Sequence, residues 1–335
     1  RAFSRNVDEV QGKRWSQLWR NHPRKSTVGK MKVWILLWVC FPSCAGWLIG
    51  DTVLPQSDLT PPAWVVLGVA QDAGFPQLGC SKSCCQGKIR SGEKERVASA
   101  ALVGKTGWWL VDATPDMVEQ IHTMGEMPQG IFLTHAHMGH YTGLMQLGFE
   151  SMNADGMPVY CSRSMAGFLR HNGPWNQLVE MGQIILHEVG ANQRISMEPG
   201  LSAIPMSVQH RSEYTNTFAW SFQPEGGKSV LWLPDIDTWN SEASDLLRWV
   251  TEYDHAFLDG TFFSADELPG RDMSQVKHPR VADTLRILEG QPHQGVHFIH
   301  LNHTNPLWNT QSVASQKTRA SGCTVPRAQQ VYSLR

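Results

Sequence analysis

The segment Thr134-His135-Ala136-His137-Met138-Gly139-His140 follows directly on the apolar run Gly130-Ile131-Phe132-Leu133 and gathers three imidazoles at what reads as a strand end. His135 and His137 are two apart, so on an extended chain both rings point to the same side. His140 returns to the same cleft as residues 141–147 turn into a helix. Neutral imidazole is the commonest protein ligand for zinc and also suits iron, manganese and nickel. A lone histidine capping a strand would be ordinary; three at this spacing outline a metal site.

Further ligand-type residues stand at the ends of apolar runs. Asp112 follows Trp109-Leu110-Val111, and His210 follows residues 204–209. Asp235 follows residues 230–233 and Pro234, with Asp237 two positions on, and His300 and His303 follow residues 296–299. Singly, a strand-end Asp caps a turn and a lone His is a satisfied polar group; together they suggest one shared cleft.

The elements needed to position these groups are legible as a mixture. Residues 64–69, 98–103, 108–111, 130–133 and 158–161 read as strands, with 98–111 a hairpin. Residues 117–124 and 164–171 are helical in period. The second half repeats the mixture, with strands at 183–189, 195–197, 203–208, 217–222, 229–233, 256–259, 296–300 and 331–334 and helices at 246–253 and 281–289. Two comparable α/β halves predict two sheets packed face to face with helices outside. The 14 tryptophans are read as packing material.

A formal net charge of −1 gives no whole-molecule field to recruit nucleic acid or an anionic membrane. One domain is expected over residues 62–335. Residues 1–30 are basic and polar, and an apolar stretch, 33–50, opens after Met31-Lys32. The stretch is expected to be a secretory signal starting at Met31, with an uncleaved membrane anchor as the alternative. Residues 1–30 are then expected to come from an over-extended reading frame, with a long cytoplasmic extension as the alternative, and the folded part is expected to be exported, or anchored through residues 33–50. Of the 7 cysteines, Cys80, Cys84 and Cys85 form a Gly-Cys-Ser-Lys-Ser-Cys-Cys loop, while Cys161 reads as a plain buried thiol.

The order of these motifs resembles the metallo-beta-lactamase superfamily over about residues 64–334. That resemblance implies an α/β fold, a four-layer αββα sandwich. By resemblance Asp112 orders the histidine loop, His135, His137 and His210 bind a first metal, and Asp235 bridges to a second metal held by His140. More narrowly, residues 67–77 with the cysteines that follow, Asp259-Gly260-Thr261-Phe262, and His300-Leu301-Asn302-His303-Thr304-Asn305-Pro306 are similar to the pyrroloquinoline quinone biosynthesis protein B group. In that group a similar cysteine loop holds a structural zinc. Here the Cys-x-x-x-Cys-Cys spacing departs from the group's usual Cys-x-Cys-x-x-Cys and no fourth ligand is obvious, so zinc and a disulfide from Cys80 to one of the pair both stand.

Gly139 stands where the superfamily run has Asp. The expectation is therefore one well-held ion, Zn2+ with Fe or Mn as alternatives, on His135, His137 and His210 with Asp235. A second ion on His140, Asp235 and His300 would be loose. Water acidified by such an ion suits hydrolysis of an ester, amide or phosphodiester in a small-molecule substrate. His300 or His303, whichever is free of metal, would protonate the leaving group, Asp237 and Asp259 would hold ring N–H groups, with a structural role in the turn before Gly260 as the alternative for Asp259, and Arg211 would meet an anionic substrate. Two other classes share the ligand set: an iron-dependent oxygenase, and a non-catalytic binding protein with a reduced site.

Overall fold

The computed structural model describes residues 53–55, 59–239 and 243–335. The readings on residues 1–30 and 33–50 lie outside the described residues. Among the described residues no helix is long and apolar enough to cross a membrane.

The strands are β1 Ala63–Gly68, β2 Ser99–Val103, β3 Trp108–Val111, β4 Ile131–Phe132, β5 Met157–Ser162, β6 Ile184–Val189, β7 Ile195–Glu198, β8 Leu201–Val208, β9 Thr217–Pro224, β10 Val230–Leu233, β11 His255–Asp259, β12 Val296–Ile299 and β13 Val331–Ser333. They form two sheets, ordered β13-β1-β2-β3-β4-β5-β6 and β12-β11-β10-β9-β8-β7. The helices are α1 Ser83–Ser91, α2 Met117–Met124, α3 Met138–Tyr141, α4 Arg163–His171, α5 Trp175–Glu180, α6 Ser244–Glu252, α7 Val281–Leu288 and α8 Val313–Ala320.

Strand β1, Ala-Trp-Val-Val-Leu-Gly, is buried throughout, the mark of a strand covered on both faces. Its alternation sends Trp64 and Val66 into the core between the sheets, with Phe222 and Trp232 of the other sheet. Val65 and Leu67 face the other way, into a second core with Met117, Leu144, Met165 and Leu169. Residues Leu246, Trp249, Val281 and Leu285 of α6 and α7 join the core on the second sheet. The architecture is thus helices, sheet, sheet, helices. Trp64, Trp109, Trp220 and Trp232 fill the inter-sheet core, in keeping with the packing role read from the sequence.

The pairing of strands sets where the chemistry falls. Strands β3, β4, β5 and β6 run parallel, as do β10, β11 and β12. Their carboxyl ends therefore share one edge, where open α/β sheets place ligands. Asp112, Thr134-His135, Asp235, Asp259 and His300 all emerge there.

Three local differences from the sequence reading have physical reasons. Cys84 and Cys85 lie in the helix α1 rather than in a loop; the helix has no apolar stripe to betray it because Cys85 is its one buried residue, and Gly92 ends it in the left-handed conformation at φ 72°. Residues 141–147 are not one helix: the short α3 gives way to a 3-10 turn over Thr142–Leu147. Helices α5 and α8 are polar and short and give little periodicity to read.

Candidate metal centre

The histidine loop is held by a buried carboxylate. The Thr134 N–H and hydroxyl donate to Asp112 Oδ1 at 2.9 and 3.0 Å, and His140 Nδ1 donates to Asp112 Oδ2 at 2.9 Å. With Nδ1–H given to Asp112, His140 presents Nε2 to the cleft, the usual device by which an outer carboxylate fixes a ligand's tautomer. Trp220 Nε1 donates to Leu133 O at 3.0 Å, and the Ala136 N–H donates to Thr215 Oγ1 at 3.0 Å. The structure places Asp112 where the sequence put it, behind the loop rather than in the cleft.

His135, His137 and His210 come together. His135 Nε2 lies 2.8 Å from His137 Nδ1, which lies 3.3 Å from His210 Nε2. Asp235 stands beside them: Oδ1 is 3.6 Å from His210 Nε2, and Oδ2 is 3.1 Å from His140 Nε2 and 3.5 Å from His300 Nε2. His210 Nδ1 faces Asp237 Oδ1 at 3.2 Å. Burial pushes the Asp235 carboxyl up, but the charges of His300 and His140 outweigh it and hold the group well below the usual carboxylate range. Burial likewise opposes charge on His140, yet Asp112 and Asp235 keep it well above the ordinary imidazole value. His135 goes the other way, pushed well down by burial and then by the neighbouring His140.

These groups fit a divalent cation. Three ring nitrogens meet a carboxylate, and His140 Nε2 and Asp235 Oδ2, both fully buried, have no hydrogen-bond partner. Buried polar atoms left in that state cost about 1–3 kcal/mol each, and coordination would relieve both. Sites with three or more ligand atoms in mutual reach include His135/His137/His210 and His135/His140/Asp235.

Two further residues of the cleft escaped the sequence reading. Asp72, in the loop after β1, puts Oδ1 3.1 Å from His140 Nε2 and 3.1 Å from His300 Nε2, so the site beside Gly139 has a carboxylate after all. The signal available was the polar Gln71-Asp72 pair breaking an apolar strand. His278 Nδ1 donates to Asp259 Oδ2 at 2.7 Å; it lies in an irregular stretch, follows no apolar run, and carried no pattern. Asp259 therefore holds His278, not a ring of the histidine loop. It also accepts the Thr261 and Ile236 N–H groups.

His300 sits directly after β12 with φ 61°; its Nδ1 meets Thr261 Oγ1 at 2.9 Å. Asp112, at φ 63°, shares that left-handed backbone. Such conformations cost non-glycine residues about 1–3 kcal/mol and cluster at functional sites.

His303 requires a correction. Its Nδ1 faces the cysteines, 3.7 Å from Cys80 Sγ, 3.7 Å from Cys84 Sγ and 3.3 Å from Cys85 Sγ. With Nδ1 committed to the cysteines, His303 stands where it could serve as the fourth ligand that the sequence did not reveal, rather than as a group free beside the histidine loop. The helix α1 lets the adjacent Cys84 and Cys85 reach one point together with Cys80, and all three thiols are free. Burial, with Cys80 and Cys84 adding to it, pushes the Cys85 thiol up to about 11, as expected of thiols crowded without a cation. Cys80→Ser is expected to remove one equivalent of zinc and lower the melting temperature, measured by elemental analysis and calorimetry; unchanged zinc would leave the cluster as packing.

A cavity of about 350 Å3 is lined among others by Arg211, Arg271, Lys277, His278, Asn302 and His303. Arg211 therefore lies at this cavity, and two more cations, unsuspected from the sequence, stand with it.

The geometry has counterparts. Residues 107–301 match the model of the Beta-lactamase superfamily domain. The chain is 28% identical over 308 residues to the coenzyme PQQ synthesis protein B of Klebsiella pneumoniae, covering 78% of this chain and 94% of that protein. Among solved structures, zinc-bound PqqB from Methylobacterium extorquens is similar at a TM-score of 0.68 and 21% identity, over 81% of this chain and 100% of the other. A diphosphatase of the PhnP family is similar at a TM-score of 0.60 and 22% identity, over 81% and 96%. At these identities the structural likenesses speak for the fold. With more than half of its length matched by the family model and the αββα sandwich expected of that family, the chain belongs to the beta-lactamase superfamily.

Proposed function

We propose that this protein is a metal-dependent hydrolase acting on an anionic small molecule, with a well-held ion on His135, His137 and His210 and Asp235 completing the site. The convergence of three ring nitrogens from two distant segments beside a buried, unsatisfied carboxylate oxygen carries the reading. A divalent ion held there supplies Lewis acidity and a water whose pKa falls from about 15.7 to about 7.

The remaining chemistry belongs to the chain. Asp112 and Asp237 orient His140 and His210. Asp259 holds the Nδ1 proton of His278, which leaves the other ring nitrogen of a cleft-lining imidazole to deliver a proton to the leaving group. Burial alone would discharge His278, but Asp259 and then Asp235 and Asp72 overcome it and raise its pKa to about 9. That direction favours the protonated form, which a general acid needs. Arg211, Arg271 and Lys277 at the cavity favour an oxyanion-bearing substrate, and the similarity to a diphosphatase is in keeping with this.

Zinc-loaded protein should hydrolyse bis(p-nitrophenyl) phosphate without oxygen, and Arg211→Ala should raise KM with kcat little changed. Turnover that requires iron and consumes oxygen would replace this reading with the oxygenase, and an unchanged KM would remove Arg211 from substrate binding.

A further inference from the structure

We infer that Asp72 has taken over, from a different loop, the carboxylate position vacated at Gly139, so that a second cation is held by Asp72, His140, His300 and Asp235. The inference rests on the metal-dependent reading above and extends it from one ion to two.

The argument starts from Gly139. A Cβ built on it would fall 2.7 Å from both Cα and Cγ of Asp72, on a part of the chain that cannot swing aside. Gly139 is not among the glycines with positive φ and lies in the short helix α3. Its backbone conformation therefore makes no demand for glycine. The missing side chain leaves room for Asp72 instead.

The loop carrying Asp72 is fixed against the strand that carries His300. The Gln71 N–H donates to Leu301 O at 2.9 Å, the Leu301 N–H donates to Val69 O at 2.8 Å, and the Gly74 N–H closes the turn on Gln71 O at 2.7 Å. That anchoring puts Asp72 Oδ1 equally, 3.1 Å, from the Nε2 atoms of His140 and His300. These three ligand atoms form one mutually accessible group. Each histidine has its Nδ1 engaged, on Asp112 and on Thr261, so both turn Nε2 toward the same point. Asp235 Oδ2 lies 3.1 and 3.5 Å from those nitrogens and borders the group on the side of the first site. An Asp at 139 and the present position of Asp72 exclude each other, so the two arrangements are alternative ways of delivering one carboxylate.

The test is metal stoichiometry, read by elemental analysis after dialysis against zinc-free buffer, with near-ultraviolet circular dichroism confirming the fold. Asp72→Asn keeps the side chain's size and should lose one equivalent of zinc relative to the unaltered protein while the cysteine cluster and first site keep theirs. The exchange variant, Asp72→Gly with Gly139→Asp, should recover that equivalent. Full zinc in Asp72→Asn would overturn the assignment, and a folded exchange variant that fails to recover the equivalent would overturn the exchange. If the unaltered protein instead holds no zinc outside the cysteine cluster, the failure lies in the metal-dependent reading itself.

Discussion

Asp235→Asn is expected to strip the cleft of metal affinity and, with it, activity. The carboxylate is buried and lies within 4.0 Å of ring nitrogens of His135, His140, His210 and His300, so it is the anion common to both groups of histidines. An amide keeps the shape, removes the charge, and points two N–H donors or one carbonyl at nitrogens that need a cation. Loss of an outer hydrogen-bond partner alone costs about 10- to 100-fold in metal affinity or activity, and loss of this central charge should exceed that. Zinc content by elemental analysis and hydrolysis of bis(p-nitrophenyl) phosphate would both fall, while zinc at Cys80, Cys84, Cys85 and His303 would remain. A variant with full zinc and full turnover would place the chemistry elsewhere.

His278→Gln is expected to leave zinc content and KM unchanged and to lower kcat by about 10²- to 10⁴-fold, the range for a positioned general acid. The sign of the pH effect follows from its charge. The acid must carry its proton, so activity should fall as pH rises through the His278 pKa, about 9 beside Asp259 and Asp235. A cation on Asp235 would lower that value by repulsion, so the alkaline limb should lie at or below about 9. In His278→Gln the limb should vanish along with the rate. An unchanged limb would assign it to another group, and a loss of zinc would make His278 a ligand rather than a proton donor.

Much of this site was written in the sequence because its residues sit at the ends of apolar runs. His135, His137, His210, Asp235 and His300 each follow a strand, and parallel pairing brings strand ends to one edge. The αββα fold was legible for the same reason: β1 is apolar on both faces, and the α2 and α4 segments keep helical period. What escaped notice lies where local pattern is silent. Asp72 reaches His140 and His300 only through the pairing of its loop with Leu301. His278 is defined by Asp259, nearly twenty positions away. His303 looked equivalent to His300 because both follow one strand, and the difference arises from α1, which presents Cys84 and Cys85 to His303, and from Cys80 just before that helix. Gly139 read as a loss of ligand because a sequence shows the vacancy at one position but not the carboxylate that fills it from another.

The most direct measurement is anomalous diffraction at the zinc absorption edge from crystals of the zinc-loaded protein. A strong peak bounded by His135, His137, His210 and Asp235, distinct from one at the cysteine cluster, is the result this account predicts. Zinc at the cysteines with nothing among the histidines at full loading would contradict it.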